Sequence, residues 1–239
     1  MAEINAIAGE LMPMTVVATA KSRSNFSLHH LFAACRYTNR IGEVEAENTG
    51  KEFAGFWDEI LQNAMAVAML SVACLEGFAN ELYFEGAAIK DSLNPPGAQL
   101  FGELIDTASI LDKFDAALVI RKGSRMNRGD TVVQNIKALI TLRNTIVHFR
   151  SEWYGEAGNH EKLSRLLNGK FKHSPFLQSE KTLFPHAWAS HSFAVWAISS
   201  TAAFLEYFYS SADLPPPIGK EHKGQLSVLS AGVVYASVK

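Results

Sequence analysis

The chain has 239 residues, 48% of them hydrophobic, a formal net charge of −2 and two cysteines. At this length a single large domain buries roughly 70% of the surface its unfolded chain would expose, so no disulfide framework or structural metal is required to hold it. A charge this close to zero excludes a protein coated over its whole surface by nucleic acid and leaves room for a local basic patch.

Residues 1–26 are mixed in character, and Met12-Pro13-Met14 breaks any early helix, so an N-terminal extension packed on the main body is expected. Glu3, Glu10 and Pro13 interrupt the apolar run that a secretory signal would need. A cytoplasmic protein is therefore expected. Cys35 and Cys74, each in an apolar helical pattern without a C-x-x-C partner, are expected as reduced, buried thiols, with a Cys35–Cys74 disulfide as the alternative.

The spacing of Leu28, Leu31, Phe32, Cys35, Ile41 and Val44 predicts a first helix over 27–47, with Ser27 at its N-cap and a stop at Asn48-Thr49-Gly50; Gly42 weakens it. A second and longest helix is predicted over 51–90 from Phe53, Trp57, Ile60, Ala64, Val67, Ser71, Leu75, Phe78, Leu82 and Phe84, and Asn94-Pro95-Pro96-Gly97 ends it. A third is predicted over 99–121 with a break at Gly123. The loop that follows is basic through Arg121, Lys122, Arg125 and Arg128, which suits it to an RNA backbone, although a solvated loop has the same composition.

Thr131-Val132-Val133-Gln134 has the pattern of a capping box, so a fourth helix is predicted from Thr131, with Gly155 and Gly158 marking its end. A short helix over 161–167 and a last core helix over 186–211 complete the bundle; the last is apolar nearly all round, with Trp188 and Trp196 as core or dimer contacts. The uncharged stretch 187–205 approaches a membrane span in length, but its serines, His191 and Thr201 make it too polar for one, so no membrane partner is expected. Leu214-Pro215-Pro216-Pro217 then sets off a tail whose 228–238 stretch reads as a strand. The domain plan is an extension at 1–26, a helical domain at 27–213 and a tail at 214–239. The fold class is all-α, an up-and-down bundle of four to five core helices.

Chemistry concentrates in Leu142-Arg143-Asn144-Thr145-Ile146-Val147-His148-Phe149. RNA carries its own nucleophile in the 2′-hydroxyl, so cleavage needs a base, an acid and positive charge on the phosphate, but no obligatory metal. His148 can exchange a proton near neutral pH, Arg143 offers a planar fork matched to phosphate oxygens, and Asn144 can orient either partner. At about 100° per residue Asn144 and His148 share a helix face while Arg143 stands some 140° from His148; the length of the arginine lets it curl toward the same cleft, and a two-fold related copy of the helix would bring a second set of groups within reach and complete the site. Arg23 and His29 give a similar spacing, but outside any capped helix, and are set aside as accidental. The other histidines assemble no metal site by spacing: His29 and His30 are adjacent, and His186 and His191 lack a carboxylate partner pattern. Glu76 and Asn80, four apart on an apolar helix, are expected as a buried pair that holds Arg143, or as an ordinary inter-helix hydrogen bond.

The stretch 142–149 resembles the hallmark of the HEPN superfamily, an R-x(4–6)-H helix with a polar residue directly after the arginine, and the run Ser71-Val72-Ala73-Cys74-Leu75-Glu76-Gly77-Phe78-Ala79-Asn80-Glu81-Leu82 is similar to a Leu-Glu-x-x-x-Asn-Glu-Leu helix in several of its branches. Together these cover a core of about 52–211. The resemblance implies a helical bundle, usually a symmetric homodimer. It often implies a metal-independent endoribonuclease of toxin, phage-defence or RNA-processing systems, with no cofactor and with an antitoxin or regulatory protein as a further partner. Arg143 and His148 would be the catalytic pair and Asn144 the accessory. Members silenced by adenylylation carry a tyrosine two positions after the histidine; here that place is Arg150, a further cation for RNA, and that form of control is not expected. Other members are inactive, so a non-catalytic module binding a nucleotide, an RNA or a partner protein stays open, as does a purely structural dimer within a defence complex.

Overall fold

The computed structural model describes residues 26–83, 94, 96, 102, 105–153, 158–177 and 183–219. Among them the regular structure is all helical: α1 (Ser27–Glu47), α2 (Phe56–Glu81), α3 (Ile110–Lys122), α4 (Thr131–Val147), α5 (Asn159–Leu167) and α6 (His191–Ser211), with an irregular turn at Leu183–Ala187 in which Phe184 is extended and the Phe184–Pro185 peptide is cis. The predicted extension at 1–25, the prolongation of the second helix over 84–90, most of 97–104 and the strand at 228–238 lie outside the described residues.

The first helix has the predicted bounds. Its stripe of Leu31, Ala34, Cys35, Ile41 and Val44 is buried against α2, the most extensive packing in the bundle. Ser27 is its first helical residue rather than its cap, and is itself buried. Asn48 closes the far end by donating from Nδ2 to the Val44 carbonyl at 2.8 Å. Cys35 and Cys74 are both free and buried, and burial pushes the Cys35 thiol up to about 11 and that of Cys74 still higher.

The second helix starts at Phe56 and ends at Glu81, shorter than periodicity suggests, with Asp58 and Glu59 in its first turn to match the positive end of the helix dipole. By length and composition it is the one described helix apolar enough to cross a membrane, yet its stripe from Trp57 to Ala79 packs against α1, α3, α4 and α6. The predicted third helix is interrupted at 107–109: Gly102, Ile105 and Asp106 are helical, and α3 begins anew at Ile110, where Ser109 caps it, Ser109 Oγ accepting from the Asp112 N–H at 3.3 Å. Its end is as expected, since Gly123 takes a left-handed φ of 70° and closes on the Val119 carbonyl.

The predicted capping box at Thr131 is absent. Asp130 holds the cap position, but its carboxylate accepts from Asn127 Nδ2 at 2.6 Å and from the Tyr207 hydroxyl at 3.2 Å, and Gln134 donates to the Arg128 carbonyl instead of the helix start. The fourth helix stops at Val147, well before Gly155, after a run of three β-branched residues, Thr145, Ile146 and Val147, that disfavours helix.

The last helix starts at His191, so Trp188 precedes it; Trp188 is buried between Phe184 and Phe193 and donates from Nε1 to the Pro185 carbonyl at 2.9 Å. Ser190 caps the helix by accepting from the Phe193 N–H at 3.0 Å, and Glu45 accepts from the His191 N–H at 2.7 Å. α6 is central, packing on α1, α2 and α4. Gly42 has a packing reason: a Cβ there would stand 3.1 Å from the His191 ring. That crowding makes His191 half-buried, and desolvation lowers its pKa.

Candidate active site

The buried stripe Val133, Ile136, Leu139 and Leu142 anchors α4 on the core and thereby fixes where the polar residues of its last turns emerge. Arg143 leaves toward α2, where its guanidinium stands 3.7 Å from the Glu76 carboxylate; the two side chains are 25% and 49% exposed. Glu76 is thus an open partner of the arginine rather than a buried one. Asn80 is also exposed, and its Oδ1 accepts from Lys113 Nζ at 2.7 Å, which ties α2 to α3 and leaves Arg143 alone. The expected buried pair does not form because Val72, Cys74, Leu75, Phe78 and Ala79 occupy the core-facing stripe of α2 and turn Glu76 and Asn80 outward.

His148 is the C-cap of α4, with φ −109° and ψ 39°, and its N–H closes on the Asn144 carbonyl at 2.9 Å. The imidazole is exposed and has no partner among the described residues, and Asn144 is exposed beside it. Among the described residues no hydrogen bond joins Arg143 to His148. One helix therefore presents the two groups on separate faces, as the 100° rule predicts.

Beyond His148 the surface is apolar and aromatic. Val147, Phe149 and Trp153 are exposed, Trp153 by 82%, with Arg150, which has no ion-pair partner among the described residues, between them. Phe149 stacks on His160 at 5.3 Å, and Glu152 folds back to accept the N–H groups of Asn159 at 3.0 Å and His160 at 2.9 Å. Those donors, His160 foremost, hold its carboxyl below the usual range. Sequence reading missed this device because a glutamate seven residues ahead of a helix fits no local capping pattern.

The basic loop is largely committed to structure. Arg121 donates from Nε to the Ala212 carbonyl at 2.7 Å, Lys122 pairs with Asp213, and Arg128 pairs with Asp112 at 2.9 Å and with Asp115. Arg125 alone of the four is exposed without a partner among the described residues. Composition counted these charges but could not show the carboxylates that α3 and the end of α6 supply.

Comparison with protein-family models, with curated proteins and with solved structures finds no match. The HEPN resemblance thus rests on the two stretches 71–82 and 142–149.

Proposed function

We propose that this chain is a metal-independent endoribonuclease of the HEPN type, acting as a homodimer. The observation that carries the reading is the exposed imidazole of His148, without a partner among the described residues, at the tip of a core-anchored helix, one turn from Asn144 and five residues from an arginine that meets an exposed carboxylate. A histidine buried among apolar side chains would have spoken for a core residue; this one is open to solvent. In the proposed reaction one imidazole takes the proton of the 2′-hydroxyl. The freed oxygen attacks the adjacent phosphorus, the P–O5′ bond breaks, and a second imidazole protonates the departing 5′-oxygen. The products are a 2′,3′-cyclic phosphate and a 5′-hydroxyl. Arg143 neutralises the charge that gathers on the phosphate, and Asn144 orients it.

A second copy would bring its own arginine and imidazole to the site, and the exposed Val147, Phe149 and Trp153 offer it an apolar contact beside the histidine. An antitoxin or regulatory protein, and a toxin or phage-defence setting, belong to the same proposal. The test is cleavage of single-stranded RNA in excess chelator by wild type, Arg143→Ala and His148→Ala, with products typed for the cyclic phosphate. Each variant is expected to lose activity by about 10²-fold or more. Equal activity in all three removes the mechanism. RNA binding without cleavage in the wild type assigns the chain to the second reading, a non-catalytic module.

A further inference from the structure

At the opposite end of α4 from His148, a cavity of about 340 Å³ opens between α4 and the start of α3. Its floor is apolar, from Leu111, Val133 and Ile140, and Gln134, Lys137 and Thr141 stand around it. One wall is the Asp112–Arg128 pair, closed at 2.9 Å, with Ser109 Oγ 2.5 Å from the same carboxylate. That carboxylate is therefore already neutralised. Lys137 is exposed and has no carboxylate partner among the described residues, so the cavity carries one uncompensated cation. A volume at the low end of small-ligand sites suits one flat ring system rather than a large ligand.

The cavity also lies in register with the candidate active site. Lys137, Thr141, Asn144 and His148 fall within about 60° of one another around the helix axis, so they form a single outward ridge. Lys137, Asn144 and His148 are exposed and Thr141 is half-buried, as such a ridge requires. From Lys137 to His148 the ridge runs about 16 Å, the reach of a few nucleotides of extended strand.

We infer that this cavity is a nucleotide subsite, taking one unit of single-stranded RNA with its base on the floor of Leu111, Val133 and Ile140 and its phosphate on Lys137. The strand then follows the ridge to His148. The inference rests on the nuclease reading for what happens at the far end of the strand, but not for the binding itself. A free mononucleotide has the same chemistry; the unbroken polar ridge favours the strand. Because the base is taken unpaired, duplex RNA is excluded from the cavity.

The test uses the full-length protein with a mixed-sequence single-stranded RNA, read by anisotropy and by cleavage in excess chelator. Lys137→Ala is expected to raise Kd and KM about tenfold with a much smaller change in kcat, since one charge-assisted phosphate contact is lost. It should also reduce the slope of log K against log salt by about 0.7, the value for one phosphate contact on a single strand. Lys137→Arg should restore both. Thr141→Phe, which fills the cavity, should raise Kd and shift the cleavage positions while thermal unfolding stays as in wild type.

If wild type binds RNA through Lys137 and Thr141 but cleaves none, the subsite stands and the nuclease reading falls. If wild type cleaves RNA while both variants keep its Kd, KM and salt slope, the subsite falls and the nuclease reading stands. Lys137-dependent binding of adenosine 5′-monophosphate with RNA affinity unchanged in Lys137→Ala overturns the strand assignment. Absence of any RNA binding overturns it as well.

Discussion

Replacing Arg128 by alanine separates a structural role for the basic loop from an RNA-binding one. Asp115 is nearly buried, its side chain 9% exposed, and accepts from Arg128 Nε at 2.9 Å and from the Met126 N–H at 2.9 Å. Removing one partner of a buried ion pair costs about 3–5 kcal/mol. Arg128 is itself 41% exposed, so water screens the pair, and Met126 still satisfies one carboxylate oxygen. Discounted for both, the loss is about 2 kcal/mol, which for a domain of this size lowers Tm by roughly 4–8 °C. Arg125→Ala, which breaks no pair, should melt within about 1 °C of wild type. Thermal melts and urea titrations followed by circular dichroism measure both variants, the first reading Tm and the second the free energy. An Arg128→Ala variant as stable as Arg125→Ala would show that Arg128 does not hold Asp115, and would return it to the pool of free cations for RNA.

Three other predictions follow from the packing. Gly42→Ala should destabilise by about 1 kcal/mol although alanine is the better helix former, because its Cβ crowds the His191 ring; in a His191→Ala background the same change should stabilise by about 0.8 kcal/mol, a reversal that a double-mutant cycle in urea reads directly. The pKa of His191 is lowered by desolvation, so the unfolded chain takes up the proton first; stability should be highest above about pH 6.5 and fall as pH drops below it, and His191→Gln should flatten that fall in denaturant titrations at pH 5 and 8. Glu45, whose carboxyl burial raises, still accepts the backbone N–H of residue 191 in that variant, so its own contribution cancels in the comparison. Trp153→Ala should leave the unfolding of the monomer within about 0.5 kcal/mol of wild type while weakening self-association in sedimentation, and an unaltered dimer would remove Trp153 from the contact surface.

What could be read from the chain is what repeats. The stripe from Leu31 to Val44 gave α1 its bounds and Gly123 marked the end of α3, because burial and left-handed caps leave local signatures, whereas Thr131 marked the start of α4 through a capping box that does not form. What could not be read is what a charge meets across the fold. Arg128 and Lys122 looked free until Asp115 and Asp213 faced them, and Glu76 and Asn80 looked like one pair until Lys113 claimed the amide. The end of α4 was misjudged for a related reason: glycines at 155 and 158 attract attention, but the helix had already stopped among β-branched residues at Val147. For the candidate site, the arginine, amide and histidine and their division between two helix faces were visible in the sequence, whereas the exposed carboxylate that Arg143 meets on α2 and the opening of His148 to solvent needed the fold.

The contact between Arg143 and Glu76 is long and open to water, the kind of ion pair that contributes less than about 1 kcal/mol. Its guanidinium is parked, not locked. In the proposed reaction a phosphodiester would have only a weak, tethered rival to displace, so the arginine would swing toward it at little cost and return when the product departs.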